Sequence, residues 1–233
     1  MREIDVFRFR GDKYFEATEF SPKARDSERS KLLELVKISE GDQICDLQSA
    51  AGYVPDGIYE RHGDGVSIVC VEPSKALSKN INSRYGVVNC ELENLELDSE
   101  SFDIVLTLAG VHHSRCLNQI ISESHRILKS GGQVAFSEVE TGTAMDKWLN
   151  DFCDKWTDDG HDGKFVRQGQ FTEEFSQAGF SNVKEFVGHV PWFFNNFEEM
   201  VTFCKKLFGL NKASREVVAD GIRSILPIEF DGE

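Results

Sequence analysis

Five short runs of residues, at 43–47 (Gln-Ile-Cys-Asp-Leu), 66–71, 87–90, 102–108 and 133–136, are almost continuously apolar instead of alternating, and most are separated by helix-length segments. Strands buried on both faces read this way, and such strands belong to parallel sheets covered by helices. Their alternation with helices predicts an α/β domain with a mainly parallel central sheet. The clearest intervening helix is at 114–129, where Leu117, Ile120, Ile121, Ile127 and Leu128 recur at helical spacing and Gly131-Gly132 ends it before the fifth run.

Helical additions are expected on both sides of this core. Residues 24–38 follow Ser21-Pro22, a helix entry, and place Leu32, Leu35 and Val36 on one face. Residues 144–156, 172–178 and 197–208 read as helices, 183–190 as a strand and 224–230 as a poor second strand. No low-complexity linker interrupts the chain, so residues 1–233 read as one domain. It divides into a helical cap at 1–40, a core at 41–140 and an accessory, substrate-covering region at 141–233.

Charge and length exclude several classes. With 26 basic against 40 acidic residues the formal charge is −14, which repels phosphate backbones and anionic lipid, so nucleic acid is not an expected partner. The longest apolar stretches, such as 68–71 and 104–106, fall far short of the roughly 20 residues that cross a bilayer. The N-terminus, Met-Arg-Glu-Ile-Asp, lacks the layout of a secretion signal, and the expected location is the cytoplasm without a membrane partner. Six cysteines stand 20 or more residues apart with no C-x-x-C pair. They read as reduced, mostly buried thiols, and no metal site is expected.

In an open parallel sheet ligands sit beyond the carboxyl ends of the strands. Those ends carry Asp46 and Gly52, then Glu72, then Glu91, then Ala109 to His113. Glu72 closes the second strand, where an acid in dinucleotide-type folds accepts hydrogen bonds from ribose hydroxyls; a solvated surface acid is the alternative.

These residues resemble the class I S-adenosylmethionine-dependent methyltransferases, particularly the ubiquinone and menaquinone biosynthesis branch. The resemblance covers residues 41–140 and rests on Ile44-Cys-Asp-Leu47 with Gly52, Val71-Glu72-Pro73-Ser, Glu91-Leu92-Glu-Asn-Leu95 followed by Ser101-Phe-Asp-Ile-Val-Leu106, Val111-His112-His113, and Arg126-Ile-Leu-Lys-Ser-Gly-Gly132. It implies a Rossmann-like fold and S-adenosylmethionine as cofactor. It also implies that Asp46 and the turn through Gln48 and Ala50 to Gly52 face the methionine part, that Glu72 with Pro73 holds the ribose, that Glu91 and the backbone of Leu92 hold the adenine, and that Ala109 borders the cleft. Asp103, at the start of its strand, reads as structural.

The sequence departs from the family in its first turn, where Asp-x-Gly-x-Gly-x-Gly becomes Asp46-Leu-Gln48-Ser-Ala50-Ala-Gly52. Glycines there supply positive φ or close backbone approach, and a Cβ in their place costs on the order of 1 kcal/mol or occupies ligand space. Gln48 either alters the pose of the methionine end or blocks it. The leading expectation is methyl transfer to a small-molecule acceptor. The competing ones are another S-adenosylmethionine-consuming reaction, such as aminocarboxypropyl transfer or cyclisation, and a non-catalytic binding protein.

Transfer of an activated methyl needs alignment and dryness first, and a base only if the nucleophile carries a proton. His112 and His113 are the candidate bases, with packing or helix capping as the alternative role. The aromatic stretch His189-Val-Pro-Trp-Phe-Phe194, with Phe197, Phe203 and Phe208, either lines an apolar acceptor pocket or forms the core of a helical lid. Arg8, Arg10 and Lys13 could pair with an anionic acceptor. The family sheet closes with an antiparallel pair, and here that last strand comes from the tail, is absent, or comes from a partner, so a monomer or homodimer is expected.

Overall fold

The computed structural model describes residues 11–230. Strands β1 (Gln43–Leu47), β2 (Ser67–Val71), β3 (Gly86–Val88), β4 (Phe102–Leu108) and β5 (Leu128–Ser137) form one sheet in the order β3-β2-β1-β4-β5, and every pairing is parallel. The order reverses between β1 and β4, so the carboxyl ends of these two strands open a crevice where a ligand can enter. Alternate residues of the central strands serve two cores. Ile44, Cys70, Ile104 and Leu106 pack towards helices α2 (Asp26–Leu33) and α3 (Tyr53–His62). Cys45, Leu47, Val71 and Val105 pack on the other face with Ile120 and Ile127 of α5 (Leu117–Ile127), the helix that follows the short α4 (Lys75–Ser78). Burial on both faces is what the near-continuous apolar runs require.

Helix α5 is shorter than the sequence reading at both ends. It stops at Ile127, and residues between the Phe102–Leu128 and Ile104–Gln133 pairings bulge out of β5. Gly131 takes φ +80° in this bulge, and a Cβ on Gly132 would stand 2.1 Å from the Leu128 side chain, so the glycines shape the entry to β5.

A third core lies beyond the sheet. Helix α1 (Gly11–Phe20) packs with α6 (144–156), α8 (Phe197–Leu207) and α9 (Arg215–Ile225) around Trp148, Phe203, Val218 and Ile222. Helix α6 is continuous from Ala144 to Trp156, and its middle turns, Lys147–Cys153, are π-helical. Helix α7 (Gln170–Gln177) returns to the sheet through Phe175, whose ring meets Phe136 at 5.1 Å.

Several expectations are corrected. The expected helix at 24–38 is confined to Asp26–Leu33, and α1 precedes it. The expected strand at 183–190 is irregular chain without a sheet partner, with Phe186 and Val187 56% and 71% exposed. The tail at 224–230 ends α9 and pairs with no strand. Among the described residues, then, the antiparallel closing pair is absent. The local pattern of 183–190 suits a strand, but β5 offers its edge to no partner here, and propensity alone does not supply one. Cys45, Cys70, Cys90, Cys153 and Cys204 are buried free thiols, as read from the sequence, whereas Cys116 is exposed. Asp103 has the structural role expected: it accepts from the Gln43 N–H at 2.9 Å and the Lys129 ammonium at 2.7 Å, tying β4 to β1 and β5. Arg8 and Arg10 lie outside the described residues. Lys13 donates to the Asn211 side chain instead of pointing to an acceptor site.

Candidate active site

A cleft of about 1790 Å³ opens over the carboxyl ends of β1, β4 and β5 and runs beneath the helical additions. Asp46, Gln48, Ala50, Ala109, His112 and His113 line it together, as the strand-end rule anticipates. Gly52, Glu72, Pro73, Glu91 and Leu92 do not line it.

The first turn keeps the left-handed backbone of a glycine-rich loop with only Gly52 left of its three glycines. Gln48 and Ala50 have φ of +56° and +49°, and Gly52, at +91°, leads into α3. Each non-glycine residue in this region costs on the order of 1 kcal/mol, and two features offset it. The Ala50 N–H donates to the Glu72 carboxylate at 2.8 Å. Across the cleft, Gly110 makes room for the Gln48 stem, since a Cβ at position 110 would lie 2.9 Å from both Cβ and Cγ of Gln48.

Glu72 is therefore busy. It is 1% exposed, and its second oxygen accepts from the Ser74 N–H at 2.8 Å. Over this flank, α1 begins so close to α4 that a Cβ on Gly11 would stand 2.5 Å from the Ala76 carbonyl oxygen. Glu91 is exposed, while Leu92 is buried among the residues packed beneath the sheet.

The floor of the cleft is different. Asp46 is 1% exposed, and its Oδ2, like Oε1 of Gln48, is buried without a hydrogen-bond partner. Burial, reinforced by the charge of Glu72, pushes the Asp46 carboxyl up to about 8. Two buried oxygens without partners, two residues apart in one turn, fit a group rich in donors such as the ammonium of a methionine group, which brings what the protein leaves unpaired. On that test the residues present fit the methionine end of S-adenosylmethionine.

The opposite wall carries the histidines. His112 is buried, and its Nδ1 lies 2.9 Å from Oε1 of Glu138, a carboxylate whose side chain is wholly buried and which also accepts from the His112 and Val139 N–H groups. An ionised carboxylate only accepts, so Nδ1 carries the proton and Nε2 keeps the lone pair. The His113 ring lies beside it, tilted by 42°, with ring centroids 4.1 Å apart. His161 closes the group at 5.5 Å from His112 and 5.3 Å from His113. Sequence reasoning missed Glu138 and His161. Glu138 directly follows β5, so the strand-end rule extended by one strand would have found it. His161 sits on an irregular segment 48 residues beyond His113, with no pattern connecting them.

The aromatic stretch divides between the helical core and the border of the cleft. Phe203 is buried in the helical core, with Trp192 and Phe194 rings 5.7 Å and 5.3 Å away. Trp192, Phe194 and Phe197 also border the cleft. Beside them Arg25, held by Glu28 and donating to the Tyr14 hydroxyl at 2.9 Å, places its guanidinium over the Tyr53 and Trp192 rings.

Residues 46–136 match the model of a family described as a methyltransferase domain. Among curated proteins, the chain is 25% identical over 127 residues to the ubiquinone/menaquinone biosynthesis C-methyltransferase UbiE of Xanthomonas oryzae pv. oryzae, an alignment covering 51% of this chain and 49% of that protein. The chain thus spans about half the length of the curated relatives it matches. Among solved structures, an S-adenosylmethionine-dependent methyltransferase of Thermotoga maritima superposes with a TM-score of 0.66 at 19% identity, covering 78% of this chain and 82% of that one. The [4+2]-cyclase SpnF superposes at 0.59 and 15% identity, covering 84% and 71%. The fold is that of the class I S-adenosylmethionine-dependent methyltransferases, and residues 46–136 are the part of it that matches the methyltransferase-domain model. Among the described residues no helix is long and apolar enough to cross a membrane.

Proposed function

We propose that this chain transfers the methyl group of S-adenosylmethionine to a small-molecule acceptor in the cytoplasm. The observation that carries the reading is the pair of buried, unpartnered acceptors, Asp46 Oδ2 and Gln48 Oε1, at the β1–β4 switch point of the fold. A buried polar oxygen left without a partner costs stability, and a site that keeps two is poised for a ligand that brings hydrogen-bond donors and, once Asp46 gives up its proton, a positive charge.

The cofactor supplies an already activated methyl group. Asp46 and Gln48 hold its amino-acid end. The backbone at Ala50 and Ala109, both in left-handed conformation, brings peptide groups to the cleft without a long side chain between. Glu72, Pro73, Glu91 and Leu92 serve the nucleoside end. Glu72 already accepts from the Ala50 and Ser74 N–H groups, so a ribose reaches it only by sharing or displacing these bonds. His112, oriented by Glu138, holds an Nε2 lone pair on the acceptor side and accepts a proton from a hydroxyl or acidic carbon there, with His113 as its neighbour. Trp192, Phe194 and Phe197 exclude water and favour an acceptor with an apolar or planar body. A net charge of −14 disfavours nucleic acid as the acceptor, and the chain acts as a monomer or homodimer.

Titration calorimetry with S-adenosylmethionine and S-adenosylhomocysteine tests the cofactor, and mass spectrometry of the products tests the reaction. Binding of both ligands and release of S-adenosylhomocysteine with a methylated acceptor are expected. No heat with either ligand in a folded sample refutes the enzymatic reading, and methylthioadenosine as product replaces methyl transfer with aminocarboxypropyl transfer.

A further inference from the structure

The three histidines of the cleft wall converge on one point of the cleft. One ring nitrogen from each of His112, His113 and His161 lies within 4.8 Å of the other two. From these side chains we propose that the protein binds a borderline divalent transition-metal ion, with Zn²⁺ as the prototype, through a three-histidine site on the cleft wall. This goes beyond methyl transfer and does not depend on it.

The supporting groups argue for ligation over aromatic stacking. An imidazole that ligates a metal through one nitrogen characteristically donates from the other to a carboxylate or amide oxygen, which fixes tautomer and orientation. His112 Nδ1 has Glu138 Oε1 at 2.9 Å, and His161 Nδ1 has Asn150 Oδ1 at 2.9 Å. The amide of Asn150 is not free to turn over. Its Oδ1 also accepts from the Gly163 N–H at 2.8 Å, while its Nδ2 donates to the Gly163 carbonyl at 2.9 Å and to Asp146 at 3.0 Å. Two rings are thus locked with the proton on Nδ1 and the lone pair on Nε2. Asn150 belongs to the π-helical turn of α6, a distortion often found at functional sites.

The carrying loop is tied down as well. The Lys164 N–H donates to the His112 carbonyl at 2.7 Å, and Phe165 packs on both His112 and His161. A tetrahedral zinc ion with Zn–N near 2.0–2.1 Å needs its ligand nitrogens about 3.3 Å apart, so binding draws the rings inward by rotations about χ1 and χ2. The buried Glu138 carboxylate supplies compensating charge beside the ion. All three histidines line the cleft, so the fourth position faces it, as in zinc sites that bind water or a substrate atom. A ligand with an ionised oxygen, sulfur or nitrogen completes the sphere. Ion and proton compete for the same His112 lone pair.

The test uses the full chain, stripped with a chelator and dialysed. Titration with Co²⁺ should give the visible d–d bands of a four-coordinate site, and calorimetry with Zn²⁺ should show one ion per chain. His161→Ala should abolish both signals, Asn150→Leu should weaken affinity about 10–100-fold, and His62→Ala, remote from the cleft, should leave both unchanged. Thermal unfolding without metal confirms that each variant is folded, and His161→Gln serves if alanine is not tolerated. Absence of stoichiometric binding by the folded wild-type chain, or equal binding by the His161 variant, overturns the proposal. S-adenosylhomocysteine titrated into the same samples separates the two readings: cofactor binding without metal binding refutes only the metal site, and the reverse refutes only the methyl-transfer reading.

Discussion

Asp46 gives a sharp pH test of the site. In the empty protein its carboxyl is pushed up to about 8, because burial withholds water from the charge and Glu72 adds a like charge. Cys45 and Cys70, its other titratable neighbours, are driven up by burial and stay neutral thiols. Below pH 8, then, Asp46 is mostly protonated and cannot attract an ammonium group. Binding of S-adenosylhomocysteine must expel that proton, so the apparent affinity scales as 1/(1 + 10^(pKa − pH)). It should tighten about 50-fold from pH 6 to pH 8 and then level off. Calorimetry in two buffers of different ionisation heat should detect close to one proton released per ligand at pH 6 and about half of one at pH 8. Asp46→Asn keeps the shape and removes the proton, so its affinity should lose this dependence. At pH 8 it should be weaker by about 1.5–3 kcal/mol, the worth of a hydrogen bond to a charged group. The stability arm has the opposite sign. A raised folded-state pKa means the native state binds a proton that the unfolded chain, near 3.8, has released. Stability should fall as pH rises from about 4 to about 8, less so in Asp46→Asn. Equal wild-type affinity at pH 6 and pH 8, or a variant with the same pH dependence as wild type, would refute the argument.

Two further outcomes are expected. Gly110→Ala puts a methyl 2.9 Å from the Gln48 stem and should cost about 1–3 kcal/mol of stability or cofactor affinity, with most of it recovered in the Gly110→Ala/Gln48→Gly double variant; denaturant melts and ligand titrations of the four proteins measure the coupling, and strict additivity would remove Gly110 from the account. Asp103→Ala should lower stability by about 1 kcal/mol in urea melts without changing cofactor affinity. Because Asp103 is held below the usual carboxylate range by the Gln43 N–H and Lys129, that contribution should be present at neutral pH and disappear on acidification below it.

The parallel sheet was legible because its signal is an unbroken apolar run repeated between helix-length segments. Strands such as Phe102–Leu108 bury both faces, and only a helix-covered parallel sheet makes such runs stable. The strand at 183–190 was misread because the same local pattern needs an edge to pair with, and pairing is not a local property. Among the residues that line the cleft, Asp46, Ala109, His112 and His113 were readable from their places at strand ends, and Gln48 and Ala50 from the family resemblance. Asn150 and His161 were not, since a π-helical turn and a loop tip carry no comparable spacing.

The missing glycines pose the harder question, and one hydrogen bond accounts for much of it. A chain of this size has a net stability of about 5–15 kcal/mol, so two left-handed non-glycine residues at about 1 kcal/mol each are tolerable but not negligible. Replacing a glycine by alanine also lowers the entropy of the unfolded chain, which returns part of that cost. The bond from the Ala50 N–H to the buried Glu72 carboxylate contributes about 1.5–3 kcal/mol, enough to hold the turn in shape. The acid that the family resemblance assigns to the ribose is therefore also the strut of a turn that has lost its glycines. Loss of the glycine and burial of the acid are two ends of one interaction, and a ligand that recruits Glu72 must either share this bond or replace it.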